Sequence, residues 1–270
     1  MKKIFITLLI FSLLSTFIFC KKEEENEINN LTKEDSERAQ KMLLKILPLI
    51  QNIFNDYKNP KTEGEKFINE VLEKISPLLD LLTPLLNKDP QTFFEVLIQI
   101  GKKLENFDYE ALIENTYFDV LLDGYFTLLT NENVLQICDL LKDDILYFIK
   151  KYVPKENVIY FEMIEEIYSN IINLMRSNDV KDFLQNCSLI FAYNKLGAKR
   201  FSKEYDVNKL GDEAKQIYFD KIKNNEDFKK IVSKISEKIP FINQSMIDTY
   251  IDSYIDSLVN NTFDEDDDDY

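Results

Sequence analysis

Asp248, Asp252 and Asp256 stand four residues apart in a threefold repeat, Met246-Ile247-Asp248-Thr249, Tyr250-Ile251-Asp252-Ser253 and Tyr254-Ile255-Asp256-Ser257. On a helix that spacing lines three carboxylates along one side, where like charges oppose one another by a few tenths of a kcal/mol. The stripe is therefore expected to be exposed, with Met246, Tyr250, Tyr254, Ile255 and Leu258 facing the body. A bound cation would offset the repulsion, so these aspartates are the candidate cation-binding residues. They lack the Gly turn and closely spaced oxygen ligands of a calcium loop. The adjacent pairs Asp143-Asp144 and Glu165-Glu166 offer acid–base chemistry, but neighbours on a helix diverge, and acid pairs are frequent in a chain with 48 Asp and Glu.

Other chemistry is excluded by what is missing. The 270 residues contain no His and no Trp. Without His there is no Ser-His-Asp or Cys-His pair and no imidazole base. The five glycines, Gly64, Gly101, Gly124, Gly197 and Gly211, lie too far apart for a phosphate-cradling loop. No catalytic motif, resident metal or cofactor is expected. The formal charge of −15 disfavours nucleic acid and anionic lipid headgroups and suits a basic protein partner.

Two cysteines sit in helical patterns. Cys138 shares an apolar stripe with Val134, Leu141 and Ile145, and Cys187 shares one with Phe183, Leu184, Ile190 and Phe191. Buried free thiols are the ordinary state of such residues. Cys138 and Cys187 would form one disulfide in an oxidising compartment if their helices meet. Two Cys without His cannot close a structural zinc site.

The N-terminus reads as an export signal. Lys2 and Lys3 precede an apolar run over residues 4–19, which stops abruptly at Cys20 and the charged Lys21-Lys22-Glu23-Glu24-Glu25. Cys20 at that edge resembles the acceptor cysteine of bacterial lipoproteins. The resemblance covers residues 1–20, with Phe17 and Phe19 where that family usually has Leu and a small residue. It implies an acyl group on Cys20 and a place on the membrane of the cell envelope. Cleavage after Cys20 with secretion, and an uncleaved signal anchor, are the alternatives. Removing residues 1–20 takes Lys2 and Lys3 with it and moves the formal charge from −15 to −17. Asn-x-Ser/Thr triplets stand at Asn30, Asn186, Asn243 and Asn260 and matter only in a host that glycosylates.

The elements that must position these side chains are helices. Apolar residues recur at helical spacing along most of the chain, as in Met42, Leu43, Ile46, Leu49, Ile50, Ile53 and Tyr57, and strict alternation is lacking. The pattern predicts an all-α fold, an irregular multi-helix bundle or αα superhelix of about ten helices. Thr62-Glu63-Gly64-Glu65 reads as a capping box. Ser76-Pro77 and Asp89-Pro90 read as helix starts, and Thr130 as the cap of a helix beginning near Asn131. Pro48 should kink or split its helix. Gly197 and Gly211, each closing an Asn-Lys-Leu-Gly tetrad, should end helices. Between them lies a basic patch, Lys199, Arg200 and Lys203, which reads as a solvated linker or a dock for an anion.

The domain plan is an export signal over 1–20, a charged tether over 21–31, a helical body over 32–262 and an acidic tail over 263–270. A sub-boundary is expected near 154 or at 197–211. Two functions follow. The first is a membrane-tethered protein with a structural or interaction role. The second is a carrier of an apolar small molecule or lipid, lodged by the leucines at 78, 79, 81, 82, 85 and 86. Metabolic labelling with palmitate checks the tether. Label is expected on the intact chain and should vanish in Cys20→Ala, whereas undiminished label in that variant rules out acylation at this residue.

Overall fold

The computed structural model of the protein describes residues 33–79, 92, 116–152, 158–239 and 241–260. The export segment with Cys20, the tether, the leucine-rich stretch beyond Leu79, Asp89-Pro90 and the acidic tail lie outside the described residues. Among the described residues 85% are helical, in nine helices with no strand, which is the expected all-α fold. The helices are α1 (Lys33–Asp56), α2 (Glu63–Leu79), α3 (Phe118–Leu129), α4 (Glu132–Tyr152), α5 (Val158–Met175), α6 (Asn178–Leu196), α7 (Val207–Ile217), α8 (Glu226–Lys238) and α9 (Gln244–Asn260). A 3₁₀ turn, Ala198–Arg200, follows α6, and a π turn, Tyr218–Ile222, follows α7. Among these residues no helix is long and apolar enough to cross a membrane.

The chain divides into two compact units. One unit holds α1, α2, α4 and the first residues of α5; the other holds α3, the rest of α5 and everything after it. The crossing lies inside α5, between Phe161 and Glu162, and residues 197–211 fall wholly within the second unit. In the first unit α1 packs along α4. The α1 stripe buries Met42, Leu43, Ile46, Ile53 and Tyr57 as its spacing predicts, and α4 buries Val134, Leu135, Ile137 and Leu141. Where the N-terminal part of α1 meets the C-terminal half of α4, Asp35 and Asp144 are buried. Arg38 Nε donates to Asp144 at 2.6 Å, Lys45 Nζ at 3.1 Å, and the Arg38 guanidinium lies 3.9 Å from the Tyr147 ring centre. The Tyr147 hydroxyl donates to Asp35 at 3.2 Å. A buried carboxylate needs such donors, because an unpaired charge there costs several kcal/mol.

Several boundary residues act differently from their sequence reading. The Thr62 hydroxyl does cap α2, accepting from Glu65 N–H at 3.1 Å, while the Glu65 carboxylate reaches back one residue further, to Lys61 N–H. Pro48 does not split α1, and Pro77 lies inside α2 instead of starting a helix. Both prolines are on exposed faces, where the carbonyl that loses its N–H partner can turn to water. Thr130 caps the end of α3 and not the start of α4, since its hydroxyl donates to Phe126 O at 2.8 Å. On α5, Ile167 and Ile172 are buried while Ile164 and Ile171 are exposed, so the apolar stripe is turned from its expected line.

In the second unit α6 is the hub, packed by α3, α7 and α9. Cys187 and Ile190 of α6, Ala214 of α7, and Ile255 and Leu258 of α9 form one buried cluster. Val180, Tyr218 and Ile222 form another, joined by Phe183, Phe228 and Ile247. The two Asn-Lys-Leu-Gly tetrads diverge here. Gly197 ends α6 in the left-handed region at φ 75°, its N–H donating to Tyr193 O at 3.0 Å. Gly211 instead sits within α7, where a Cβ would lie 2.6 Å from Val259 Cγ2 of α9. It is a packing glycine, present because α7 and α9 approach closely. Gly211→Ala should therefore destabilise the second unit by about 1–3 kcal/mol despite better helix propensity. Val259→Ala in the same chain should recover part of that loss, as read from urea unfolding midpoints.

Candidate interaction face

The period-four repeat of α9 explains how its sides are distributed. Four residues advance a 3.6-residue helix by about 400°, so each repeat drifts by about 40°. The aspartate side chains accordingly emerge along the helix, from 18% exposed at Asp248 to 49% at Asp252 and 59% at Asp256. The isoleucines move the other way, and Ile255 is fully buried.

The aspartate stripe is not a free solvent edge. It faces α7 and the π turn, and the cations it meets are lysines. Lys223 Nζ lies 2.5 Å from Asp248 Oδ2. Lys215 Nζ bridges Asp252 at 2.7 Å and Asp256 at 2.8 Å, and the two bonds raise the lysine's pKa. Asp248 also accepts from the Tyr218 hydroxyl at 2.9 Å and from Gln244 Nε2 at 2.6 Å. Burial would raise the Asp248 pKa, but the bonds from Lys223, Gln244 and Tyr218 outweigh it and hold the carboxyl below its ordinary value. The Tyr218 hydroxyl is pushed up by its own burial and by that carboxylate. Among the described residues no group of three or more His, Cys, Asp or Glu is arranged to hold a metal ion.

With the aspartates turned to α7, the outer side of α9 carries no charge. Asp248, Asp252 and Asp256 are the helix's only charged residues, in a chain that is 30% charged overall. What faces outward is Ser245, Met246, Thr249, Tyr250 and Ser253, which with Asn243 line a shallow, open depression. Tyr250 is 64% exposed, and its ring stacks on Tyr254 with centres 6.0 Å apart and planes at 9°. Phe241, just before the helix, is 70% exposed. The expectation that Met246, Tyr250 and Tyr254 face the body is thus corrected. Only Ile255 and Leu258 of that set are buried. Two hydroxyls of the helix are committed as donors: Thr249 Oγ1 donates to Ser245 O at 3.0 Å and Ser257 Oγ to Ser253 O at 2.9 Å. Outward, those two oxygens offer only lone pairs.

The other chemistry-bearing residues are scattered. Asp143 is exposed while Asp144 is buried in the Arg38–Lys45 cluster, so the adjacent pair diverges as helix geometry requires. Glu166 lies 3.6 Å from Lys234 and 3.9 Å from Lys238 of α8. Cys138 of α4 and Cys187 of α6 are both thiols, one in each unit. Cys187 is buried and its pKa is pushed up to about 12 by that burial, which keeps it protonated and inert. Cys138 is half-buried, less enclosed than its stripe suggested.

One cluster has no sequence signal. Asp119 of α3 accepts from Ser202 N–H at 3.1 Å, from the Ser202 hydroxyl, and from the Tyr205 hydroxyl at 3.0 Å. Burial works to raise its pKa, but these bonds prevail and lower it. They anchor the loop carrying Lys199, Arg200 and Lys203, on which Phe201 packs between Tyr193 and Tyr205. The sequence separation of its members, more than eighty residues from Asp119 to Ser202, hides it from any local pattern.

No protein-family model matches the chain, and comparison with curated proteins and with solved structures returns no significant match.

The lowered Asp248 carboxyl gives α9 a pH dependence. Its folded pKa lies below the unfolded value of about 3.9, so its contribution is complete above that pH and drains as pH falls through the folded value. Asp248→Asn should lower stability at pH 6 by about 1–3 kcal/mol. It should also flatten the acid limb, so that variant and parent converge as pH falls below about 4 in urea unfolding series.

Proposed function

We propose that this is an exported protein, held at a membrane by an acyl group on Cys20 and a charged tether over 21–31, whose helical body docks a protein partner through the outer face of α9. The observation that supports docking is the uncharged, aromatic outer side of that helix on a chain of formal charge −15. A solvent-facing helix surface ordinarily carries charge. Interface cores are depleted in charged residues and enriched in Tyr and Met, and tyrosine offers a large contact area with few rotamers to freeze. Met246, Tyr250 and Tyr254 supply such a core in a line along one helix. Phe241 extends it at the N-terminal end. The depression beside Tyr250 is open to solvent, which suits a protein surface better than an enclosed small molecule.

The tether reading draws on the resemblance at Cys20 and on the abrupt change to charged residues after it. It would hold the body in reach of partners at the membrane while its negative charge keeps it off anionic headgroups.

A photo-reactive phenylalanine analogue placed at position 250 in the native host tests the docking. A discrete covalent adduct is expected from position 250 and not from exposed Gln51 on α1. Tyr254→Glu should reduce that adduct by about ten-fold or more. Equal, diffuse crosslinking from both positions would overturn the reading.

A further inference from the structure

We infer that the partner of α9 presents a cationic amphipathic helix, with its apolar side on Met246, Tyr250 and Tyr254 and its lysines or arginines along the aspartate edge. This rests on the docking reading above and adds the chemistry of the partner.

Three observations carry it. First, the face is linear. The exposed residues Met246, Tyr250 and Tyr254 run along a single helix over about 12 Å at 1.5 Å per residue, with exposed Phe241 just before it, so a second helix can lie along them. Second, the face offers acceptors among its apolar residues. Thr249 and Ser257 have spent their hydrogens on carbonyls of their own helix, so their oxygens keep lone pairs for N–H donors of a partner. Third, the flank carries uncompensated negative charge. Lys215 is one ammonium shared between Asp252 and Asp256, both about half exposed, so one negative charge remains in excess there. In sequence, Asp264-Glu265-Asp266-Asp267-Asp268-Asp269 begins four residues after Asn260, the last residue of α9. Exposed tyrosine rings add a surface for an ammonium or guanidinium group.

The same charges argue against a second copy of this chain as the occupant. Each copy would bring its own terminal acids and a formal charge of −15 to the contact. A membrane surface is disfavoured on the same ground where headgroups are anionic.

The test uses the full chain after signal removal, with two synthetic amphipathic helices of about fourteen residues as probes. One alternates leucine with lysine at helical spacing; the other carries glutamate in place of lysine. Fluorescence anisotropy should show binding of the lysine helix and none of the glutamate helix. Tyr250→Ser with Tyr254→Ser should weaken the lysine helix by about ten-fold or more, with the helical circular dichroism of the protein unchanged. Removing residues 263–270 should weaken it only a few-fold and reduce its salt dependence. Binding unchanged in the tyrosine double variant would mean capture by acid alone and would overturn the inference. Failure of the lysine helix to bind would do so too, as would dimerisation of the protein by itself through the same tyrosines in sedimentation equilibrium. A position-250 adduct that persists in the native host while the lysine helix fails would retain the docking face and reject only the cationic partner.

Discussion

Lys215 between Asp252 and Asp256, with Lys223 on Asp248, helps decide which way α9 faces, and the described outer surface of the second unit depends on that choice. A helix with isoleucine, aspartate, serine or threonine, and an aromatic or methionine in every repeat could settle in more than one rotation. Apolar burial favours the isoleucine row, because Tyr250 and Tyr254 carry hydroxyls that would need partners if buried, and the ion pairs act in the same direction. Three carboxylates with lysines waiting on one side reinforce the choice. Turning the helix to bury the tyrosines would move the aspartates away from Lys215 and Lys223 and leave the repeat with like charges and no counter-ion. Partly exposed ion pairs are individually weak. Their effect here is on orientation, where they add to the preference of the isoleucines for the core.

The same economy appears wherever the chain needs to satisfy a carboxylate inside it. With no His and only 3 Arg, lysines and hydroxyls carry much of this task beside Arg38 and Gln244. Tyrosine hydroxyls meet Asp35 from Tyr147, Asp119 from Tyr205 and Asp248 from Tyr218. Each of these bonds joins segments distant in sequence. Each also serves both partners, because a buried tyrosine hydroxyl needs an acceptor as much as a buried carboxylate needs a donor. For Tyr205 and Tyr218 the pairing raises the phenol pKa, so those hydroxyls stay protonated donors at any ordinary pH. These clusters are locks between elements, saturated by their own partners.

What the sequence disclosed follows from what is local. Helical periodicity is a local property, and the all-α fold, the α1 stripe from Met42 to Tyr57, the Thr62 cap and the left-handed Gly197 could all be read directly. Positions whose role depends on a neighbour from elsewhere could not. Gly211 reads as a helix end until Val259 of α9 is placed against it. Thr130 reads as an N-cap until its hydroxyl is seen on Phe126 O. Pro77 reads as a helix start, although an exposed proline near the end of a helix disturbs little. Asp119, Ser202 and Tyr205 carried no signal, since nothing in a window around any one of them names the other two.

The α9 face is the instructive intermediate case, because its residues were legible and its orientation was not. The set Ile242, Met246, Tyr250, Tyr254, Ile255 and Leu258 has helical spacing, but it extends too far around the helix to be buried by one contact. A core-facing stripe needs little more than about 100° of a helix's circumference. Ile251, Ile255 and Leu258 fill that width against α6 and α7, and an apolar row beyond it is surplus to folding. Surplus apolar area at a surface costs solubility, and a chain with this much acid had charged residues to spend there. That the outer side of α9 carries none, while its three aspartates are all turned to lysines of the same unit, is the observation on which the proposed docking face rests.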